Sequence, residues 1–223
     1  MTHYTDSAYS TTSTTNTERN MANRVAIGYI HNDMVHAGFM HSLVNLVRYM
    51  NIDTIDYWSS ANISTARNKL VGQFLESSSE WLYMADTDTV FNRNTIERLL
   101  KHNALIIGGL VYINDLPKHP SMFRRLPDDE NGTPVYYSIT DYELGEVVDV
   151  DATGAGCLLV HRSVFEAIRE KLPNKAAQWF QEVPMGDSLA GEDVTFCIRA
   201  ISLGYNICVD TSVNIGHLKT HII

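Results

Sequence analysis

The sequence predicts an α/β domain with a mostly parallel central sheet flanked by helices. Three observations carry this. From Arg24 onward, strand-like apolar runs alternate with amphipathic helical segments, and a β-α-β series implies parallel strands covered on both faces. The run Trp81-Leu82-Tyr83-Met84-Ala85 ends in Asp86-Thr87-Asp88, which puts two acids at the carboxyl end of a buried strand, where open α/β sheets bind ligands. The chain has 223 residues, enough for one well-buried domain.

Val25 to Ile30 reads as the first strand. Phe39 to Met50 reads as a helix with Phe39, Leu43, Leu46, Val47 and Met50 on one face. Thr54 to Trp58 is the second strand. Ser64 is placed to cap a helix running to about Leu75, with Ala66, Leu70 and Phe74 inward. Trp81 to Ala85 is the third strand. Asn92 or Asn94 caps a helix through Leu100, and Ala104 to Leu110 is a fourth strand. Four prolines, Pro117, Pro120, Pro127 and Pro134, then mark loops and short strands up to about Val150. Gly154-Ala155-Gly156 leads into the buried strand Cys157 to Val160. Helices follow from Ser163 to about Lys171 and from about Glu192 to Leu203, with a late strand from Tyr205 to Val209. No internal repeat is present.

Residues 1–22 are Ser/Thr-rich with almost no aliphatic content, so they lack the apolar surface to offset ordering entropy. They are expected to be a disordered tail, with Met21 a second candidate start, and residues 23–223 the folded domain. Hydrophobic residues make up 44% and charged residues 19%, ordinary for a globular protein. The net charge of -9 disfavours non-specific binding to a nucleic-acid backbone and suits a protein that recruits a cation. No apolar stretch approaches the roughly 18 residues of a membrane span, and the N-terminus has no signal-peptide core. The three cysteines have no metal-type spacing and read as apolar fillers in a reducing compartment. The expected location is cytoplasmic.

Asp86 and Asp88 are candidates for a hard divalent cation, with substrate phosphates completing its shell. The plainer alternative is a turn with helix-capping acids. Like charges this close repel, and a cation removes that cost. Arg67 offers a planar fork suited to phosphate oxygens, or else is a solvated helix-face arginine. Near the first strand, Tyr29 and His31 are placed to line a nucleobase pocket, although loop residues of this type are common. Trp179 and Phe180 either stack on a sugar or are core. The loop Met185 to Gly191 is a candidate to close over a donor. His31, His36 and His41 do not align on a helix face and make no metal site.

An apolar third strand ending in Asp-x-Asp resembles the GT-A (Rossmann-like) nucleotide-sugar glycosyltransferases. Four further segments share the resemblance. These are Ser64 to Lys69 between the second and third strands, Val150 to Gly156, Gly191-Glu192-Asp193, and Gly216-His217. The resemblance covers about Arg24 to Leu218, and its specificity lies in the order and spacing of all five features. It implies an enzyme moving a sugar from a UDP- or GDP-linked donor to a hydroxyl acceptor on a glycan, small molecule, protein or modified base. It implies Asp88 as the direct ligand of Mn²⁺ (or Mg²⁺), Asp86 on the ribose or reaching the metal through water, and His217 as a third ligand. Taken alone, His217 also fits a surface histidine. Mixed oxygen and imidazole ligands favour Mn²⁺. Arg67, Asn68 and Thr87 join Tyr29, His31 and Asp86 as donor-binding residues, with Asn68 on the base or ribose. Asp193 becomes the base for the acceptor hydroxyl and Glu192 holds the acceptor. Acids at a helix start also complement its dipole, which is compatible with both roles. Inversion or retention is not fixed.

Three other readings compete. Asp86-Thr87-Asp88-Thr89 also fits the motif of haloacid dehalogenase-type phosphatases, with Asp86 as nucleophile and Mg²⁺ as cofactor. That motif belongs on a first strand, and here two strand-helix units precede it. A non-catalytic carbohydrate-binding protein would not need both acidic pairs and His217. A nucleotidyltransferase would carry a Gly-rich basic loop after the first strand, where this chain has His31-Asn32-Asp33.

Overall fold

Apolar strands buried on both faces organise this domain. A computed structural model describes residues 24–59, 62–113, 117–130, 132–171, 178–186 and 188–218. The expected N-terminal tail lies outside them. Chain order begins β1 (Val25–His31), α1 (Ala37–Tyr49), β2 (Asp53–Trp58), α2 (Ile63–Glu76), β3 (Trp81–Ala85), β4 (Thr89–Val90), α3 (Thr95–Leu100) and β5 (Ile106–Leu110). Short strands follow: β6 (Tyr112–Ile113), β7 (His119–Pro120), β8 (Met122–Leu126), β9 (Val135–Ser138), β10 (Val147–Val150) and β11 (Ala152–Thr153). The last part holds β12 (Cys157–His161), α4 (Arg162–Lys171), β13 (Val183–Met185), β14 (Ser188–Ala190), α5 (Glu192–Ser202), β15 (Ile207–Asn214) and β16 (Gly216–His217).

The central sheet has seven strands in the order β10-β15-β5-β12-β3-β1-β2. Five of these seven run in one direction, and β12 and β10 run against them. The mostly parallel sheet is as expected. One detail differs from a simple βαβαβαβ series: β12 is inserted antiparallel between β3 and β5. This insertion carries the amino end of β12 to the carboxyl end of β3.

Side chains of a strand alternate between faces. In β3, Leu82 and Met84 join Leu70, Phe74, Phe165 and Phe196 on the face covered by α2, α4 and α5. Trp81, Tyr83 and Ala85 join Phe39, Leu46, Ile96 and Leu99 on the face covered by α1 and α3. Both faces are buried, which is why the strand reads as an unbroken apolar run.

Helix boundaries differ from expectation in small ways with clear causes. In α2, Asn62 rather than Ser64 is the cap, because its side-chain oxygen accepts from the Ser64 and Thr65 amides at 2.8 and 3.4 Å. Ser64 lies inside the helix. Phe39, Leu43 and Leu46 of α1 are buried as expected, but Val47 is 42% exposed, since the inward stripe is narrower than its sequence pattern. Asn94 precedes α3 without a side-chain cap, and the Asn92 carbonyl instead accepts from the Thr95 amide at 3.0 Å. The late strand extends beyond Val209 to Asn214. Residues expected to form a donor-covering loop form the β13–β14 hairpin. All three cysteines are buried free thiols. Among the described residues, no helix is long and apolar enough to cross a membrane.

Candidate active site

The Asp86–Asp88 segment leaves β3 as a tight turn. The Asp86 carbonyl accepts from the Thr89 amide at 3.0 Å and from its hydroxyl at 2.7 Å. The Thr87 carbonyl accepts from the His36 amide at 3.3 Å, tying the turn to the start of α1. On the other side, the Asp86 amide donates to the Gly156 carbonyl at 3.3 Å. A Cβ at Gly156 would lie 2.7 Å from Asp86 Oδ2, so the glycine is needed for this close approach. The antiparallel pairing of Cys157 with Ala85 makes the approach possible.

Arg67 links the two acidic pairs. It sits on the inward face of α2 and is only 6% exposed, so the solvated-arginine alternative does not hold. Its Nη2 donates to Asp86 Oδ1 at 3.1 Å, and its Nε lies 3.2 Å from Glu192 Oε1. The guanidinium also lies over the Phe180 ring, 5.9 Å from the centroid. The Nε contact is one of charge rather than an aligned hydrogen bond. Among the described residues, Arg67 Nε, Ser64 Oγ and Thr195 Oγ1 are buried side-chain polar atoms without a hydrogen-bond partner. They lie near the N-terminal ends of α2 and α5, which meet at Arg67 and Glu192.

Glu192 and Asp193 form the first turn of α5, where acids complement the helix dipole. Burial is the main cause that raises both pKa values above their ordinary values, with Arg67 opposing it in each. Asp193 Oδ1 accepts from the Val194 amide at 2.8 Å, and Oδ2 faces Gly154, where an added Cβ would stand 3.6 Å away. The Val150–Gly156 segment thus touches both acidic pairs.

His217 is brought to Asp88 by a short ladder in which β16 pairs antiparallel with β4, placing His217 opposite Thr89. The Leu218 amide donates to the Asp88 carbonyl at 2.7 Å. His217 Nδ1 lies 3.1 Å from the Tyr112 carbonyl, and Nε2 lies 3.1 Å from Asp88 Oδ2. A carbonyl only accepts, so Nδ1 carries the hydrogen. Nε2 of a neutral ring then turns a lone pair toward a carboxylate oxygen. The contact is an ion pair when the ring is protonated, and otherwise sets a nitrogen and an oxygen donor 3.1 Å apart.

Asp86, Asp88 and His217 are not assembled as one ligand set. Among the described residues there is no cluster of three or more His, Cys, Asp or Glu able to hold a metal. Asp86 is turned to Arg67 instead, 3.1 Å from its Nη2.

Tyr29 and His31 lie at the carboxyl end of β1, with ring centroids 5.9 Å apart. Tyr29 lines a small cleft that also includes Arg67, Asp86 and Ala155. His31 Nε2 lies 3.2 Å from Asp56 Oδ2, and the Trp58 indole donates to Asp33 Oδ1 at 3.1 Å. Asp56 and Trp58 were not among the expected site residues. The signal for them is that β2 runs parallel to β1, so their carboxyl ends share one edge.

Asn68 has a different role from the one expected. Its amide nitrogen donates to the Ser64 and Phe180 carbonyls, and its oxygen accepts from the Trp179 and Phe180 amides at 3.0 and 3.1 Å. All four hydrogen-bonding positions are used inside the protein, leaving none for a base or ribose. Trp179 and Phe180 are buried in the core, which removes them as sugar platforms.

This arrangement defines a cleft at the carboxyl edge of a GT-A-type sheet. No protein-family model and no curated protein matches the sequence. Solved structures do resemble the fold. The crystal structure of A197 from STIV superposes with a TM-score of 0.61 at 17% identity, covering 88% of this chain and 86% of that one. GalNAc-T7, solved with UDP, GalNAc and Mn²⁺, superposes with a TM-score of 0.58 at 10% identity, covering 89% of this chain and 44% of that one. At these identities the shared property is the fold. It does not favour the dehalogenase-type alternative.

Proposed function

We propose that the protein is a metal-dependent glycosyltransferase that moves a sugar from a UDP- or GDP-linked donor to a hydroxyl acceptor. The observation that carries the reading is the 3.1 Å approach of His217 Nε2 to Asp88 Oδ2 beside the Asp86–Arg67–Glu192 chain. A ring nitrogen and a carboxylate oxygen 3.1 Å apart can take neighbouring positions around a divalent cation, and the nitrogen-oxygen donor set favours Mn²⁺ over Mg²⁺. With only two protein ligands, room remains for phosphate oxygens. GalNAc-T7, which shares the fold, was solved with UDP, GalNAc and Mn²⁺, in keeping with a nucleotide-sugar donor and a metal here.

Asp88 and His217 would hold the metal, which when bound would act as a Lewis acid on the departing diphosphate. Arg67, charged and buried, adds a second positive centre to the cleft. Asp86 orients Arg67 and borders the ribose side. Tyr29 and His31 line the nucleobase side, next to Asp56 and Trp58. Asp193 takes the proton of the acceptor hydroxyl, and Glu192 steadies the acceptor and Arg67. A base must be ionised to work, and burial places Asp193 nearer to neutral pH, which makes it a stronger base than an exposed aspartate. The free, buried thiols fit the expected reducing compartment.

Incubation with UDP- and GDP-sugars and Mn²⁺, followed by chromatography for released nucleoside diphosphate, tests the reading. Release from one donor that disappears in Asp88→Ala is the expected result. Equal release by Asp88→Ala, or Mg²⁺-dependent phosphate release from simple phosphomonoesters in place of it, would overturn it.

A further inference from the structure

The two acids on Arg67 are held differently. The Asp86 side chain is 42% exposed against 7% for Arg67, so in this pair the carboxylate is the partner that meets solvent. Glu192 is 12% exposed and is fixed on the first turn of α5. Asp86 Oδ1 lies 3.1 Å from Arg67 Nη2, while Oδ2 lies against Gly156, whose missing side chain leaves the carboxylate room. Of the two acids, Asp86 is the one able to turn away.

The cleft beside this pair is nearly filled. Its lining includes Tyr29, Arg67, Leu70, Asp86 and Ala155, and its volume is about 10 Å³. That is the room of a single water, and a phosphate group is several times larger. A guanidinium binds carboxylate and phosphate oxygens with the same planar fork. An anion from the cleft therefore reaches Arg67 by taking the place of the Asp86 carboxylate.

We propose that Asp86 is an internal competitor for the donor diphosphate, holding Arg67 in the free protein and yielding it when the diphosphate binds. The proposal rests on the glycosyltransferase reading, which supplies the diphosphate. Asp86 and Asp88 share one turn, so a carboxylate released from Arg67 comes free beside the proposed metal ligand. Diphosphate is accordingly expected to bind weakly to the metal-free protein, in which Asp86 keeps its hold on Arg67.

Isothermal titration calorimetry in EDTA with inorganic pyrophosphate, UDP and GDP tests this on the wild type, Asp86→Asn and Asp88→Asn. Both substitutions remove one negative charge from the same turn, and the first alone loosens the contact with Arg67. Asp86→Asn should bind pyrophosphate and one of the two nucleotides at least about tenfold more tightly than the wild type, with Asp88→Asn changing by at most about threefold. If Asp86→Asn does not fold by circular dichroism, Asp86→Ala carries the same expectation. No gain in the Asp86 variant, or an equal gain in Asp88→Asn, would overturn the proposal. The wild type is also titrated with UDP and GDP in Mn²⁺. Mn²⁺-dependent nucleotide binding without a gain in the Asp86 variant defeats the competitor proposal alone. No nucleotide binding under either condition defeats the glycosyltransferase reading, and with it the donor role of any pyrophosphate bound at Arg67.

Discussion

Arg67 Nε lies 3.2 Å from Glu192 Oε1, joining α2 to α5 across the floor of the cleft. Both side chains are largely withdrawn from water, at 7% and 12% exposure. Removing one partner of a buried pair leaves the other charge uncompensated. Arg67→Ala should therefore lose about 3–5 kcal/mol of stability at neutral pH in denaturant titrations. Arg67 opposes the upward shift of the Glu192 pKa, so its loss raises that pKa further. The penalty should be full above this raised value and shrink as falling pH protonates Glu192. A constant penalty from neutral pH down to about pH 4, where a free glutamate titrates, would show that the pair is not the cause.

Asp193 offers a second linkage. Its folded pKa is raised mainly by burial, so the folded state binds its proton more tightly than the unfolded chain does. Stability is then highest below the unfolded value and declines as pH rises through the folded one. Asp193→Asn keeps an oxygen for the Val194 amide and removes the charge. Its melting temperature should exceed that of the wild type at neutral pH, and the two should converge toward pH 3. The same variant should still bind donor nucleotide but lose transfer. Weakened donor binding with transfer intact would remove Asp193 as the base.

Gly156 is held against Asp86 by backbone and side-chain contact. In Gly156→Ala the new Cβ must displace a carboxylate that Arg67 holds from the other side. The fold should persist, and Mn²⁺-dependent nucleotide affinity should fall about tenfold or more, equivalent to about 1.4 kcal/mol. Isothermal titration calorimetry reads this directly. Unchanged affinity would show that Asp86 does not shape the donor site.

Asn68 should behave as a structural residue. Asn68→Ala strips partners from the Trp179 and Phe180 amides in a buried setting. A loss of about 3 kcal/mol is expected, from leaving these groups unsatisfied. Nucleotide affinity measured on the folded protein should stay within about twofold of the wild type, or about 0.4 kcal/mol. A large affinity loss without destabilisation would restore the ribose or base role.

Strands were legible because burial on both faces requires continuous apolar runs; β3 begins and ends where its sequence says. The turn acids were legible because nothing in a buried strand explains them. The insertion of β12 between β3 and β5 was not. An apolar run looks the same whichever neighbour it pairs with, and only this insertion explains why Gly154–Gly156 reaches Asp86. Asn68 was misread because an amide near a nucleotide-type motif and an amide buckling two distant backbone segments have the same local sequence. The burial of Arg67 was equally hidden, since its partner Glu192 arrives from a far segment.

The most direct measurement is thermal unfolding with UDP or GDP, with and without Mn²⁺, in the wild type, Asp88→Ala and His217→Ala. At 100 times its dissociation constant, a nucleotide should add about 2.7 kcal/mol to wild-type stability. The account predicts a shift with one nucleotide that requires Mn²⁺, is lost in Asp88→Ala and is reduced in His217→Ala. A full Mn²⁺-dependent shift in Asp88→Ala, or no shift with either nucleotide in the wild type, would contradict it.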